Sequence, residues 1–249
     1  QAWNVELMEE FGKKIADEME EFHIQLWLAP GLNIHRNPLC GGNFEYYSED
    51  PILAGTLTAA VTKGVQSKKS CGVTIKHFAG KCAAADTLGV QQHAGVGTTI
   101  KHFALNNQED NRMGVDVHIS ERALREIYLR GFEIAVKNSN PVAMMSSYNL
   151  VNGVHAANSK DLCTKIAREE WGFEGFVVSD CSGPENIQRK QSVVGTMEEA
   201  AAMAVSAGVD IECGSAYKKA LASAVKKGII KESELDANLR RVFRAKMRL

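Results

Sequence analysis

The residue best placed to do chemistry ends an apolar run, Gly175-Phe176-Val177-Val178-Ser179-Asp180. Such a run reads as a strand buried on both faces. Cys181-Ser182-Gly183-Pro184 then turns the chain away. A carboxylate at the carboxyl end of a buried parallel strand faces the rim where α/β barrels carry out chemistry. The competing reading is an aspartate that caps a helix or holds a core edge. Other segments repeat the pattern. Segment 24–29 leads to Asn33, His35 and Arg36, and 97–103 carries Lys101 and His102. Segment 142–148 ends in Ser147-Tyr148-Asn149, and 209–213 holds Asp210 and Glu212. Each is apolar first and hydrogen-bonding last. A rim of one acid, several cations and many amide or hydroxyl groups suits a polyhydroxylated ligand. A phosphate site would need a glycine-rich turn into a helix N-terminus.

The elements that must position these residues alternate. Helical periodicity covers 3–22, 51–66, 120–138, 159–171, 197–207, 216–227 and 233–248. Strands are expected at 24–29, 73–78, 97–103, 142–148, 175–180 and 209–213. Pro51 suits a first helical position, and Ser120 and Ser233 suit N-caps. Strand–helix alternation predicts an α/β fold with a parallel sheet. The expectation is one domain over 1–249, a (β/α)8 TIM-barrel-like fold that is incomplete or rearranged, since roughly six strands fall short of eight.

Composition narrows the partners. Lysine plus arginine total 29 against 30 acids, a net charge of −1. That argues against nucleic acid or an anionic membrane surface, either of which favours a basic excess. No apolar stretch is long enough to span a bilayer. The six cysteines are scattered, with no C-x-x-C pair and no zinc-like spacing. They predict a reduced set, a cytoplasmic location and no metal. The Gly-x-Gly groups are isolated, so no cofactor is expected.

Five segments in order resemble glycoside hydrolase family 3, the β-glucosidase and β-xylosidase group. They are 29–38 (Ala-Pro-Gly-Leu-Asn-Ile-His-Arg-Asn-Pro), 43–51 (Asn-Phe-Glu-Tyr-Tyr-Ser-Glu-Asp-Pro), Lys101-His102-Phe103-Ala104, Met145-Ser146-Ser147-Tyr148-Asn149, and Trp171-Gly172-Phe173 through Asp180. The resemblance implies a barrel domain that takes a small carbohydrate or glycoside and hydrolyses β-glucosides with retention. It implies Asp180 as the catalytic nucleophile. It further implies that Lys101, His102, Arg112, Met145 and Tyr148 bind the glycone sugar or orient the nucleophile. Double displacement places a second carboxyl ~5 Å from the first. Lys101 and Arg112, if close, favour the ionised form of Asp180.

Three features depart from the family's pattern. Gly41-Gly42 stands where the family usually has a glycine and a sugar-binding arginine. Loss of such a charged hydrogen bond costs ~1.5–3 kcal/mol. The family's first strands normally precede Trp3, and its usual acid/base glutamate lies in a domain after Leu249, so the chain reads as a fragment, a split product or an engineered protein. Residues 73–79 (Val-Thr-Ile-Lys-His-Phe-Ala) recur at 99–104, which marks 70–96 as an insertion supplying a strand and a helix over 82–94. Inside it, Lys81 stands where a related branch has an acid/base histidine. Glu212 and Asp86 are the remaining acid/base candidates.

Two other readings stay open. One is a non-catalytic scaffold recombined from a β-glucosidase. The other is a Schiff-base enzyme using Lys76 or Lys101. An incomplete barrel also leaves strand edges that invite a homo-oligomer.

Overall fold

The computed structural model describes residues 2–22, 26–27, 35, 37–50, 53, 56–57, 60–61, 64–65, 67, 72–73, 99–139 and 141–248. The expected strand 73–78 beyond Val73, the helix over 82–94, and Asn33, Arg36, Lys76, Lys81 and Asp86 lie outside them, as does most of 24–29.

Eight short strands are described: β1 (Leu26–Trp27), β2 (Gly72–Val73), β3 (Thr99–Phe103), β4 (Asp116–Val117), β5 (Ala143–Ser146), β6 (Leu150–Val151), β7 (Val154–His155) and β8 (Phe176–Ser179). β1 pairs in parallel with β2. The site rests on a second parallel sheet in the order β3-β5-β8. Among the described residues these strands do not close into a ring, so the barrel expectation holds only as α/β layering with parallel pairing. No helix among them is long and apolar enough to cross a membrane.

The β3-β5-β8 sheet forms because its inner residues are apolar and covered on both sides. Ile100, Phe103, Met144 and Val177 are fully buried. The Phe103 ring meets Phe132 edge-on at 5.1 Å and Trp171 at 5.8 Å. Leu124, Leu129, Leu162 and Ile166 close the same core from the helices outside. Burial of each such side chain contributes roughly 1.5–3 kcal/mol.

Register decides where the polar tips point. β5 and β8 pair residue for residue, from Ala143 with Phe176 to Ser146 with Ser179. β3 and β5 pair at Ile100 with Met144, then slip before Phe103 meets Ser146. Lys101 and His102 occupy the slipped stretch, where a bulge re-aims side chains. Cis peptide bonds join Lys101 to His102 and Phe103 to Ala104.

Segment 209–213 is not the full strand expected. It contributes one parallel bridge, Ile211 beside Val178. Asp210 is not a rim residue either. Its side chain is fully buried, 2.7 Å from Arg168 Nη2 and 2.7 Å from Arg241 Nε. It also accepts from the Val177 amide at 2.7 Å. A carboxylate placed one residue before the bridge faces the packed side of the sheet and needs those two guanidinium groups to offset desolvation.

A hairpin absent from the sequence expectation joins β6 to β7 antiparallel, with β4 parallel alongside β6. Its turn is Asn152-Gly153 at φ 49 and 85. Positive φ at both central residues is what a two-residue hairpin needs, and Asn-Gly supplies it.

The helices follow their caps. In α1 (Val5–Glu21) the Asn4 side chain accepts from the Leu7 amide at 2.8 Å. α1 crosses the helical residues near 64 at glycine contacts, since a Cβ on Gly12 would lie 2.2 Å from the Val61 carbonyl oxygen. The helix expected over 120–138 is interrupted. Glu121–Ala123 turns into a π-helical stretch, Leu124–Tyr128, before α2 (Arg130–Ser139). Another π-helical stretch, Asp161–Glu170, occupies the expected 159–171 helix. A short α3 (Gly183–Arg189) follows the Asp180 turn. In α4 (Met197–Ala207), Thr196 and Glu199 form a reciprocal capping box, and Gly208 at φ 99 ends the helix. α5 (Ala216–Lys226) and α6 (Glu232–Arg248) complete the chain.

Candidate active site

Parallel strands deliver their last residues to one edge. Ser147 donates its amide to the Phe103 carbonyl at 2.8 Å, and Asp180 donates its amide to the Ser146 carbonyl at 3.2 Å. Beyond the ladder, Ser147 Oγ and Asn149 Nδ2 donate to the Ala104 carbonyl at 2.8 and 3.1 Å. These bonds clamp the end of the Lys101-His102 strand to the segment carrying Tyr148.

Lys101, His102 and Asp180 meet there although they are only 7%, 6% and 7% exposed. His102 Nε2 lies 3.1 Å from Asp180 Oδ2. The ring N–H is not in line with that oxygen, so Oδ2 has no aligned donor among the described residues. Oδ1 accepts from the Cys181 amide at 2.8 Å. Burial alone pushes the Asp180 carboxyl up. The His102 imidazole, the Cys181 amide and the Lys101 ammonium outweigh it and hold the group below its ordinary 3.8. The site therefore carries a buried, ionised carboxylate with one oxygen tied and the other turned to the histidine.

Tyr148 is buried, and its hydroxyl donates to the Cys181 carbonyl at 2.8 Å. Burial first, then the Asp180 charge, push that hydroxyl far above its usual range, so it stays protonated as a donor. The Arg112 guanidinium sits 5.0 Å from the Tyr148 ring centroid and donates to Glu109 Oε2 at 2.9 Å. Arg112 is thus joined to the site through Tyr148. Met145 is buried in β5 opposite Val178.

Cys181 and Cys213 form a disulfide, which corrects the expectation of a wholly reduced set. Both cysteines follow neighbouring parallel segments by one or two residues, so pairing at the Ile211 bridge brings their Cα atoms to 4.4 Å. Cys40 and Cys163 are free. Cys71 and Cys82 lie outside the described residues.

Glu212 does not face Asp180 as a free acid. Its Oε1 accepts from the Ala216 amide at 2.9 Å and its Oε2 from the Tyr217 amide at 2.6 Å, capping α5. Burial, with the Glu185 carboxylate beside it, pushes Glu212 up to about 7 against the pull of those amides. Glu185 Oε1 accepts from Ser215, while its buried Oε2 has no N–H donor among the described residues.

At the departure from the family's arginine, a Cβ on Gly42 would lie 2.6 Å from Tyr46 Oη. The Tyr46 side chain fills the space beside that position. His35 Nε2 lies 3.1 Å from the Asn43 carbonyl oxygen and belongs to the same loop.

Residue-type reasoning missed three participants. Gln191 Nε2 donates to the Tyr148 and Met113 carbonyls at 3.2 and 3.1 Å. Asn106 is buried with both amide atoms lacking a hydrogen-bond partner among the described residues. The third is the disulfide, whose signal was two cysteines just past the ends of adjacent apolar runs. No group of three or more His, Cys, Asp or Glu suited to a metal ion occurs among the described residues.

The described residues thus place a buried carboxylate at the tips of a parallel α/β sheet, flanked by lysine, histidine and tyrosine. The chain belongs to glycosyl hydrolase family 3: the profile of that family's N-terminal domain matches residues 1–245. It is 42% identical over 234 residues to beta-glucosidase A of Butyrivibrio fibrisolvens, covering 94% of this chain and 23% of that protein. It is 39% identical over 236 residues to an exo-alpha-(1->6)-L-arabinopyranosidase of Bifidobacterium longum, covering 94% of this chain and 26% of that protein. The structure of beta-glucosidase 3B from Thermotoga neapolitana in complex with glucose superposes with a TM-score of 0.67 at 42% identity, covering 98% of this chain and 30% of that one. The chain thus spans about a quarter of the length of the curated relatives it matches.

Proposed function

We propose that this chain is the glycone-binding, nucleophile-bearing part of a retaining β-glycosidase. The observation that carries the reading is the Asp180 carboxylate, buried and ionised, with Oδ2 beside His102. In this reading Oδ2 attacks the anomeric carbon of a β-glucoside. The bond to the leaving oxygen breaks, its electron pair departs with that oxygen, and an acid supplies the proton. Water then releases the sugar with overall retention. Lys101 and His102 hold the carboxylate ionised and present donors to sugar hydroxyls. Tyr148 and Arg112 form the wall beside it. The relative complexed with glucose supports a small carbohydrate as the ligand.

An activated 2-fluoro-glycoside tests this, because its leaving group departs without acid help and the fluorosugar adduct persists. Mass spectrometry of the treated chain should place the adduct on Asp180, and Asp180→Asn should abolish it. A folded chain with no adduct overturns the reading. It would then favour the non-catalytic scaffold, for which Tyr46 filling the space at Gly42 is the supporting observation.

A further inference from the structure

We propose that the Cys181–Cys213 disulfide is a positioning device for the reactive carboxylate, and that its reduction switches the site to a less reactive state. The inference rests on the reading of Asp180 as nucleophile. The backbone of Cys181 links the disulfide to both reactive neighbours, its N–H in one peptide unit and its C=O in the next. The Cys181 amide donates to Asp180 Oδ1 at 2.8 Å, and the Cys181 carbonyl accepts from Tyr148 Oη at 2.8 Å. On their far side these peptide units meet segment 209–213. Upstream, segment 209–213 is held to β8 by the Ile211 bridge and by reciprocal bonds between Asp210 and Val177 at 2.7 Å, and Ser182, just after Cys181, sits at φ 61. Nearer the rim, hydrogen bonds run from the Ser182 amide to the Cys213 carbonyl at 2.6 Å and from the Cys213 amide to Ser179 Oγ at 3.2 Å. The covalent link is the strongest tie between the two segments at the rim.

The link is also reachable. Cys181 is exposed and Cys213 half-buried, so an external thiolate can attack. With a dithiol as reductant, one sulfur attacks the disulfide and the second resolves the mixed disulfide. Two electrons and two protons pass to Cys181 and Cys213, and the reductant leaves as its own cyclic disulfide. The freed turn no longer fixes the amide on Oδ1, nor the carbonyl that orients Tyr148.

The test compares the intact chain before and after dithiothreitol, and again after reoxidation. Two readouts are taken: the rate of 2-fluoro-glycoside labelling at Asp180, and hydrogen exchange at the Cys181 amide. Reduction should slow labelling roughly tenfold or more, the worth of one hydrogen bond to a charged group. It should also raise Cys181 amide exchange, and reoxidation should reverse both. The double variant C181S/C213S should label slowly and ignore dithiothreitol. Unchanged labelling after both thiols are shown to be free overturns the proposal. If neither state labels, the nucleophile reading fails on its own. The amide exchange then decides the positioning role, which unchanged protection overturns and reversible loss supports.

Discussion

His102 Nε2 stands 3.1 Å from Asp180 Oδ2, across two strands that are not neighbours in the sheet. β5 separates them, so the contact forms only because the β3 register slips at Lys101-His102 and Asp180 lies one residue beyond its own ladder. The pair sets the ionisation of the carboxylate.

His102→Ala therefore tests the electrostatics. With the imidazole gone, desolvation is opposed by fewer groups, the Cys181 amide and Lys101 among them, and the Asp180 carboxyl should titrate at higher pH. The acid limb of the labelling profile should move to higher pH in the variant than in the parent chain. At neutral pH labelling should slow by about tenfold or more. A profile whose acid limb stays in place would separate His102 from the ionisation of Asp180.

The same shift bears on stability. The folded carboxyl is depressed, so its contribution is full above the unfolded value and fades as pH falls through the folded one. Asp180→Asn should flatten the acid end of the unfolding free energy below about pH 4, read by urea titration.

Asp210 is a different kind of acid. It is buried between Arg168 and Arg241. Asp210→Ala leaves two guanidinium groups without their carboxylate and should destabilise the fold by about 3–5 kcal/mol. Replacing the exposed Glu126, which pairs with Arg122 on the surface, should cost at most about 0.5 kcal/mol. Equal losses for the two would refute the distinction.

Glu185 and Glu212 predict a pH effect of opposite sign. Glu212 is raised to about 7, so the folded state holds a proton that the unfolded chain loses near 4.5. Stability should fall as pH rises between those values, because the native state binds more protons. Glu185→Gln removes the like charge and offers a donor to Glu212. It should flatten thermal unfolding temperature across that window. A slope identical to the parent's would show that the pair does not share a proton.

Gly208 tests the helix end. It sits at φ 99, and a Cβ there would lie 2.8 Å from Thr164 Oγ1. Gly208→Ala meets both strain and crowding and should cost roughly 1–3 kcal/mol in denaturant unfolding.

Much of this architecture was readable as local pattern. The apolar runs at 99–103, 143–146 and 176–179 became parallel neighbours, with 143–146 buried on both faces while Phe176 and Val178 stay half-buried on one face of 176–179. Periodicity read α4 over 197–207, and the structure closes it with the Thr196–Glu199 capping box and Gly208, local features that were not read as its ends. The Asn-Gly at 152–153 was equally local but was not read as a hairpin. The π-helical stretches at Leu124–Tyr128 and Asp161–Glu170 carry no distinct sequence sign, because their extra residue is absorbed by packing on the core.

The sequence by itself determined which residue types stand at strand tips, and so which groups could do chemistry: Asp180, Lys101, His102 and Tyr148. Tertiary structure alone decided which of the acids turned inward, Asp210 to two arginines and Glu212 to a helix end. It alone joined Cys181 to Cys213 beside the Asp180 carboxylate. Periodicity specifies a face, whereas partners across a sheet depend on register between segments tens of residues apart, which no local pattern records.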